Sequence, residues 1–323
     1  MSDAPPPTLV TLGETMGLLT AAETGPLEFS RTFAYTIGGA ESNVAIGVAR
    51  LGGAATWIGR IGRDATGDMI ERRLLAEQVR ALAVRDDGFT GLMVKHRRFG
   101  TALSVDYHRA GSAGSRLSRT DLPPGCIENA AILHVTGITP ALSETARDAV
   151  TAAVERARAA GVTVSIDINY RRKLWSPPAA RPVLRRLVAQ ADLVFAGVEE
   201  ARLLLDTPDP AHHPSAQDLA RELAALGPGQ AVIKDGARGC AAFIDGGAHR
   251  LPALPVPVVD PVGAGDAFVA GYLAEHLTGK PAPDRLRTAI AAGAFAVSVP
   301  GDCEGLPRRA DLNALLCHDD VER

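Results

Sequence analysis

From about residue 130 onward, short apolar runs of strand type alternate with segments whose apolar residues follow the helical period. The strand-like runs occupy 131–138, 162–169, 192–197 and 230–236, and the helical segments between them occupy 143–161, 182–191, 199–205 and 223–227. This alternation is typical of βαβ units, in which helices connect and cover parallel strands. It predicts an α/β fold with a central, mainly parallel sheet flanked by helices.

The stretch 240–254 departs from this order, because two β-type runs flank Asp245, Gly246 and Gly247. Asp-Gly at such a centre is typical of a tight hairpin turn, so an antiparallel strand pair is expected here. A final pair of helices is predicted to follow, one beginning at Asp266 and the other near Asp284.

Two earlier segments, 14–37 and 88–108, contain strand-like runs with no helix between them. They predict a small second sheet built from two separated insertions, while 1–13, 38–87 and 109–323 form the main α/β domain. A sheet of few strands without helices of its own needs something to cover its second face. Substrate, a partner subunit or both would serve, so we expect a homo-oligomer through this sheet.

Charge and cysteine usage exclude several classes of protein. The formal net charge is −3 over 323 residues, with acidic and basic residues interspersed, which does not favour a nucleic-acid or membrane surface. The four cysteines are widely spaced without a C-x-x-C pair, so reduced thiols and no structural zinc are expected. The N-terminal segment does not have the pattern of a signal peptide. These features predict a cytoplasmic protein that acts on a small molecule.

The stretch Gly263-Ala264-Gly265-Asp266 stands where a strand pattern gives way to a helical one. Small residues at a helix N-terminus expose backbone N–H groups that bind anions such as phosphate. An acid there opposes anion binding, so Asp266 needs a role that outweighs the repulsion. General-base removal of a hydroxyl proton is such a role, although local sequence alone favours a plain helix cap.

Two common nucleotide-binding motifs do not fit the sequence. The third glycine of G-x-G-x-x-G falls at Phe268, and Gly279-Lys280 is followed by Pro281 rather than by Ser or Thr. The sequence therefore supports neither a Rossmann dehydrogenase nor a P-loop enzyme.

Residues 38–68 and 260–273 resemble the N-terminal and C-terminal signatures of the PfkB, or ribokinase-like, carbohydrate kinases. The resemblance extends over nearly the whole chain and implies a ribokinase-like fold, with the two insertions as a β-sheet lid. It also implies ATP and Mg²⁺ as cofactors and a sugar as phosphoryl acceptor. Four further segments, 106–118, 133–143, 167–175 and 301–305, are similar to those of the family's 2-keto-3-deoxygluconate kinases.

The resemblance also implies residue roles. The substrate-binding positions would be Gly39, Ala40, Asn43, Met93, Tyr107, Arg109, Arg171 and Asp302. The nucleotide-binding positions would be Asn169, Lys234, Gly236, Gly239, Gly263 and Gly265. Asp266 would be the base, supported by the anion cradle Gly263-Ala264-Gly265, and Glu200 would position Mg²⁺ through water.

Two positions depart from the family pattern. Gly197 stands where many members have an asparagine near the metal, and Met93 stands where an aromatic lid residue is expected. A 2-keto sugar acid carries a permanent carboxylate, which suits the guanidinium groups of Arg109 and Arg171.

Two other functions remain open from sequence. One is a related kinase for fructose, ribose or a nucleoside, because a shared fold does not determine the sugar. The other is a sugar-binding sensor without catalysis. The intact glycine turn with Asp266, together with Lys234, argues against the sensor.

Overall fold

The computed structural model describes residues 7–99, 102–206 and 214–317. The strands in this part of the chain are β1 (Thr8–Leu12), β2 (Met16–Thr24), β3 (Phe33–Gly38), β4 (Ala54–Gly62), β5 (Arg80–Asp86), β6 (Leu92–Phe99), β7 (Ala102–His108), β8 (Ile132–Thr136), β9 (Thr163–Asp167), β10 (Leu193–Gly197), β11 (Gln230–Lys234), β12 (Cys240–Ile244) and β13 (Gly247–Leu251). The helices are α1 (Ala40–Arg50), α2 (Ala65–Ala76), α3 (Thr139–Leu142), α4 (Glu144–Ala159), α5 (Pro177–Val188), α6 (Val198–Leu205), α7 (Ala216–Ala224), α8 (Ala264–Leu277), α9 (Ala282–Val297) and α10 (Arg309–Cys317).

A large sheet of nine strands has the order β13-β12-β11-β10-β9-β8-β1-β4-β5 within the described residues. The strands from β11 to β5 are parallel to their neighbours, and β12 and β13 add an antiparallel edge. The predicted mainly parallel α/β sheet is confirmed. Strand β5 was not predicted, because its alternating, charged sequence at the edge of the sheet gives only a weak strand signal.

Both faces of the large sheet are buried by helices. Successive side chains of a strand point to opposite faces, so neighbouring residues enter different apolar clusters. In β1, Leu9 belongs to the apolar cluster that includes side chains of α1, α2, α8 and α9, while Val10 belongs to the one that includes side chains of α4, α5, α6 and α7. Helix starts follow ordinary capping rules: Ser143 accepts a hydrogen bond of 3.0 Å from the Ala146 N–H at the start of α4. The result is one sheet between two layers of helices.

The predicted hairpin lies between β12 and β13. Asp245 and Gly246 have φ values of 50° and 85°, and two successive positive values are characteristic of a tight hairpin turn. Helix α8, however, begins at Ala264 with Gly263 as its N-cap residue, so the predicted start at Asp266 is wrong by two residues.

A small mixed sheet has the order β3-β2-β6-β7. Its strands come from the two predicted insertions, 14–37 and 88–108, with β3 extending to Gly38. Strands β2 and β6 pair in parallel, and the outer pairs are antiparallel. The proposed domain division also includes 1–6, 100–101, 207–213 and 318–323, which lie outside the described residues, and it stays a prediction.

The described residues contain neither a membrane-spanning helix nor a cluster of metal-binding side chains. No helix there has the length and apolar character needed to cross a bilayer. In the same residues, no three acidic, histidine or cysteine side chains converge as a metal site.

Candidate active site

A cavity of about 1440 Å³ lies between the small sheet and the carboxyl ends of the parallel strands. In α/β proteins this edge is the usual place for a ligand, because the loops that follow the strands converge there. Glu14 follows β1, Asn169 follows β9 and Glu200 follows β10, while Lys234 ends β11. Met93 and Tyr107 contribute the wall formed by the small sheet.

The glycine turn of 263–265 forms one side of this cavity. Gly263 has a φ of 79°, and a Cβ atom there would lie 2.2 Å from the backbone oxygen of Asp302. Only glycine therefore fits this position. Within the described residues no side chain caps the first turn of α8, which leaves its N–H groups available to an anion. The alternative role of Asp266 as a helix cap is wrong, since Gly263 is the N-cap residue.

Asp266 is 8% exposed and lines the cavity. Its Oδ2 accepts a hydrogen bond of 2.8 Å from Asn43 Nδ2, and its Oδ1 accepts one of 3.4 Å from Asn169 Nδ2. Burial, reinforced by the negative charge of Asp302, raises the pKa of Asp266 to about 7. A carboxyl group that titrates near neutral pH is suited to accept a proton from an alcohol.

Asn43 connects the two family signatures, 38–68 and 260–273, through a hydrogen bond. It lies in α1, 223 residues from Asp266, and its Nδ2 also donates to Asp302 Oδ2 at 3.2 Å. Its Oδ1 is buried and accepts no hydrogen bond within the described residues. Asn43 was predicted to contact sugar hydroxyls, but in the structure its amide nitrogen orients the two carboxylates and the residue does not line the cavity.

Lys234 is tied to a partner that the sequence analysis did not identify. Its Nζ lies 2.8 Å and 2.6 Å from Asp167 Oδ1 and Oδ2 at the end of β9. Burial alone would lower the pKa of Lys234, but the charges of Asp167 and Glu200 outweigh it and raise that pKa. The lysine is therefore a cation at the cavity wall, 3.4 Å from where a Cβ of Gly265 would stand.

Glu200 is oriented by backbone groups. Its two carboxylate oxygens accept hydrogen bonds of 2.8 Å from the Tyr170 N–H and 2.7 Å from the Gly197 N–H. Gly197 thus contributes its N–H at the position where the family pattern has an asparagine side chain. The carboxylate lines the cavity, where it suits a magnesium ion that also binds phosphate oxygens.

The two predicted substrate arginines differ in their surroundings. Arg109 is buried, and its guanidinium forms an ion pair with Glu14, with Nε 2.7 Å from Glu14 Oε2. Arg171 is exposed at the cavity and forms no ion pair within the described residues. Of these two guanidinium groups, that of Arg171 therefore remains available for a ligand carboxylate.

Several predicted residues line the cavity together, namely Gly39, Ala40, Met93, Tyr107, Arg109, Asn169, Arg171, Glu200, Lys234, Gly263, Gly265, Asp266 and Asp302. Ala264, Gly236 and Gly239 are not among the described residues that line it. Gly239 is required for packing, since a Cβ there would lie 2.0 Å from the backbone oxygen of Leu251. The nucleotide-binding role of Gly236 and Gly239 stays a prediction.

A carboxyl group with a pKa of about 7 in the first turn of a helix, near a small sheet and a partly buried lysine, suits an enzyme that phosphorylates an alcohol. Residues 7–309 match the model of the pfkB family carbohydrate kinases, and the chain belongs to this family. Its ribokinase-like fold agrees with this membership.

Named relatives place the chain among sugar kinases. It is 36% identical over 314 residues to the 2-dehydro-3-deoxygluconokinase of Bacillus subtilis, covering 95% of this chain and 94% of that one. It is also 36% identical over 296 residues to the fructokinase of Klebsiella pneumoniae, covering 86% and 91%. An E. coli protein of ribokinase type, solved in complex with ATP and Mg²⁺, superposes with a TM-score of 0.86 at 25% identity, covering 97% and 99%.

Proposed function

We propose that the protein transfers the γ-phosphoryl group of ATP to the primary hydroxyl of 2-keto-3-deoxygluconate, giving 2-keto-3-deoxy-6-phosphogluconate. The observation that most strongly supports this proposal concerns Asp266, a buried carboxyl group with a pKa of about 7 that lines the cavity beside the glycine turn. The similarity to a 2-dehydro-3-deoxygluconokinase along almost the full chain supports the choice of acceptor.

In this proposal Asp266 takes the proton of the acceptor hydroxyl as its oxygen attacks the γ-phosphorus. The new oxygen–phosphorus bond forms as the bond to the β,γ-bridging oxygen breaks, and ADP leaves. N–H groups of the turn Gly263-Ala264-Gly265 hold the phosphoryl oxygens, and Asn43 keeps the carboxylate of Asp266 directed at the hydroxyl. Glu200 is the residue that would hold Mg²⁺ through water, and the ion would offset the negative charge of the phosphates.

Nucleotide and sugar would occupy opposite ends of the cavity. Lys234 and Asn169 lie on the side of the glycine turn and suit the triphosphate, and Gly236 and Gly239 are proposed to shape the turn beside the nucleotide. Met93 and Tyr107 lie on the small sheet and suit the sugar. We propose that this sheet, formed by 14–37 and 88–108, acts as a lid that excludes water and so limits ATP hydrolysis.

The available guanidinium of Arg171 supports an acidic substrate. A carboxylate on the sugar would form a charge-assisted pair with it, whereas a neutral hexose would not. Gly39, Ala40 and Asp302 complete the polar wall that suits the sugar hydroxyls. Arg109, held by Glu14, is proposed to orient Tyr107, whose ring centroid lies 5.7 Å from its guanidinium carbon.

A sugar panel tests the acceptor. With ATP and Mg²⁺, ADP release measured by a coupled assay is expected to be fastest with 2-keto-3-deoxygluconate and at least about tenfold slower with fructose and ribose, since one charge-assisted contact is worth that much. Equal rates with neutral ketohexoses would contradict the argument from Arg171 and favour a fructokinase, which the relative from Klebsiella pneumoniae makes the second candidate. Sugar binding without ADP release would favour the alternative of a non-catalytic sugar-binding sensor.

The rate is expected to rise with pH through neutrality. Burial and the nearby Asp302 raise the pKa of Asp266 to about 7, and only the deprotonated carboxylate can accept a proton. The value of kcat/KM, which reports the free enzyme, should therefore fall about tenfold for each pH unit below the pKa and level off above it. A profile that is flat across this range, with the coupling enzymes checked separately, would contradict the assignment of Asp266.

We also propose that the protein is a cytoplasmic homo-oligomer assembled through the small sheet. The outer strand β3 carries the partly exposed rings of Phe33 and Tyr35, which a second subunit would cover. Sedimentation equilibrium that gives the mass of a single chain would contradict this assembly.

A further inference from the structure

Lys95 lies on strand β6 of the small sheet and is only 1% exposed. Its Nζ donates hydrogen bonds of 2.6 Å to Asp260 Oδ2 and 2.8 Å to the backbone oxygen of Gly301. It also lines both the large cavity and a smaller one of about 440 Å³ behind it. The Lys95 side chain therefore borders both cavities, and its ammonium group joins the small sheet to the loops at residues 260 and 301.

Asp260 in turn holds the two loops together. Its Oδ1 accepts a hydrogen bond of 3.1 Å from the Val262 N–H, and its Oδ2 accepts one of 3.2 Å from the Gly301 N–H. The side chain is 2% exposed. One carboxylate and one ammonium group thus connect three segments that are distant in sequence.

These segments are the ones that position the base. Residue 262 precedes the glycine turn, and Asp302 follows Gly301. Gly263 lies so close to Asp302 that a Cβ on Gly263 would be 2.2 Å from the backbone oxygen of Asp302. Asp302 shares the amide nitrogen of Asn43 with Asp266, at distances of 3.2 Å and 2.8 Å. A displacement of either loop would therefore move both the anion cradle and the hydrogen bond that orients the base.

A buried ion pair is weak evidence for stability, because the cost of removing both charges from water offsets their attraction. Its better-supported use is to select one arrangement over others, since any arrangement that separates the pair leaves an uncompensated buried charge. Here the selected arrangement is the small sheet seated on the two loops. Arg97, two residues along β6, donates at 2.7 Å to the Val259 backbone oxygen and strengthens the same contact.

We propose that Lys95 is a positioning residue for phosphoryl transfer: it ties the small sheet to the glycine turn, so that the turn and Asp266 are aligned only when the sheet covers the cavity. The inference rests on the proposed kinase function. Lys95 is assigned no contact with either substrate, so its removal should lower kcat by much more than it changes either KM.

The test is Lys95→Ala, assayed with and without methylammonium chloride, which can return an ammonium group to the space beside Asp260. We expect a loss of kcat of about 10²-fold, as for an active site misplaced by about 1 Å, with KM changes below about threefold. Methylammonium should restore much of the loss, whereas tetramethylammonium at equal ionic strength should not. Lys280→Ala, an exposed lysine remote from the cavity, is the matched control and should behave as the wild type in every buffer.

Asp260→Asn is the second variant, because it keeps the size and shape of the side chain but removes the charge and replaces one of the two acceptor oxygens by an N–H donor. We expect kcat to fall about tenfold or more, without rescue by amines. If methylammonium leaves folded Lys95→Ala unchanged, or if Asp260→Asn retains wild-type kcat, the proposal is overturned. Should Lys95→Ala fail to fold in both buffers, the kcat of Asp260→Asn decides. Wild-type turnover on the sugar panel tests the kinase function separately, so the two failures are distinguishable.

Discussion

Asp266→Asn is expected to lower kcat by roughly 10²- to 10⁴-fold, the usual contribution of a positioned general base. The substitution keeps the volume of the side chain and its place beside Asn43, but an amide cannot accept the proton of the acceptor hydroxyl. KM for ATP and for the sugar should change far less, because neither substrate is bound through the proton that Asp266 receives. The loss would therefore be confined to the chemical step.

Steady-state kinetics with the best acceptor of the sugar panel measures this effect. Asp284→Asn is the matched control, since Asp284 lies in the first turn of the following helix α9 and is paired there with Arg287. That variant should keep wild-type kcat. A turnover number of Asp266→Asn equal to the wild type's would remove Asp266 from the mechanism.

The pattern of elements could be predicted from sequence, because it depends on local periodicity and turn chemistry. The alternating runs after residue 130 correspond to β8 through β11 and to α4, α5 and α6, and the Asp245-Gly246 hairpin lies where expected. Helix α7 spans Ala216–Ala224, so the segment 223–227 matches only its end. The glycine turn and Asp266 could also be predicted, since the four residues are consecutive. Each of these features depends on only a few neighbouring residues, so a local pattern predicts it.

The partners of the charged site residues could not be predicted. The sequence around Lys95 is that of an ordinary strand, and the ion-pair partner of Lys95, Asp260, is 165 residues away. Arg109 was expected to meet a substrate carboxylate, but Glu14, 95 residues earlier, already pairs with it. Asp167 lies in the segment 167–175, which resembles the family, yet its pairing with Lys234 depends on β9 and β11 lying on either side of β10 in the sheet. Such pairings follow from the strand order and from burial. Neither can be predicted from a local sequence pattern.

Lys234→Met is expected to destabilise the protein by roughly 3 to 5 kcal/mol, because it leaves the carboxylate of Asp167 buried without its counter-charge. The side chain of Asp167 is 2% exposed, so water cannot replace the lost ammonium group. If Lys234 also contacts the triphosphate, as we propose, KM for ATP should rise by about tenfold or more. A shift of the urea unfolding midpoint and the KM for ATP measure the two effects separately.

The double variant Lys234→Met/Asp167→Asn separates the structural role of the lysine from its functional one. Removing both charges should recover most of the lost stability, since a buried pair can be replaced by neutral groups at little cost, while KM for ATP should stay high. The single variant Asp167→Asn shows what the loss of the carboxylate contributes, and Lys280→Met is the exposed-lysine control. If the double variant recovers the wild-type KM for ATP together with its stability, Lys234 serves only to neutralise Asp167, and the triphosphate is bound by other groups.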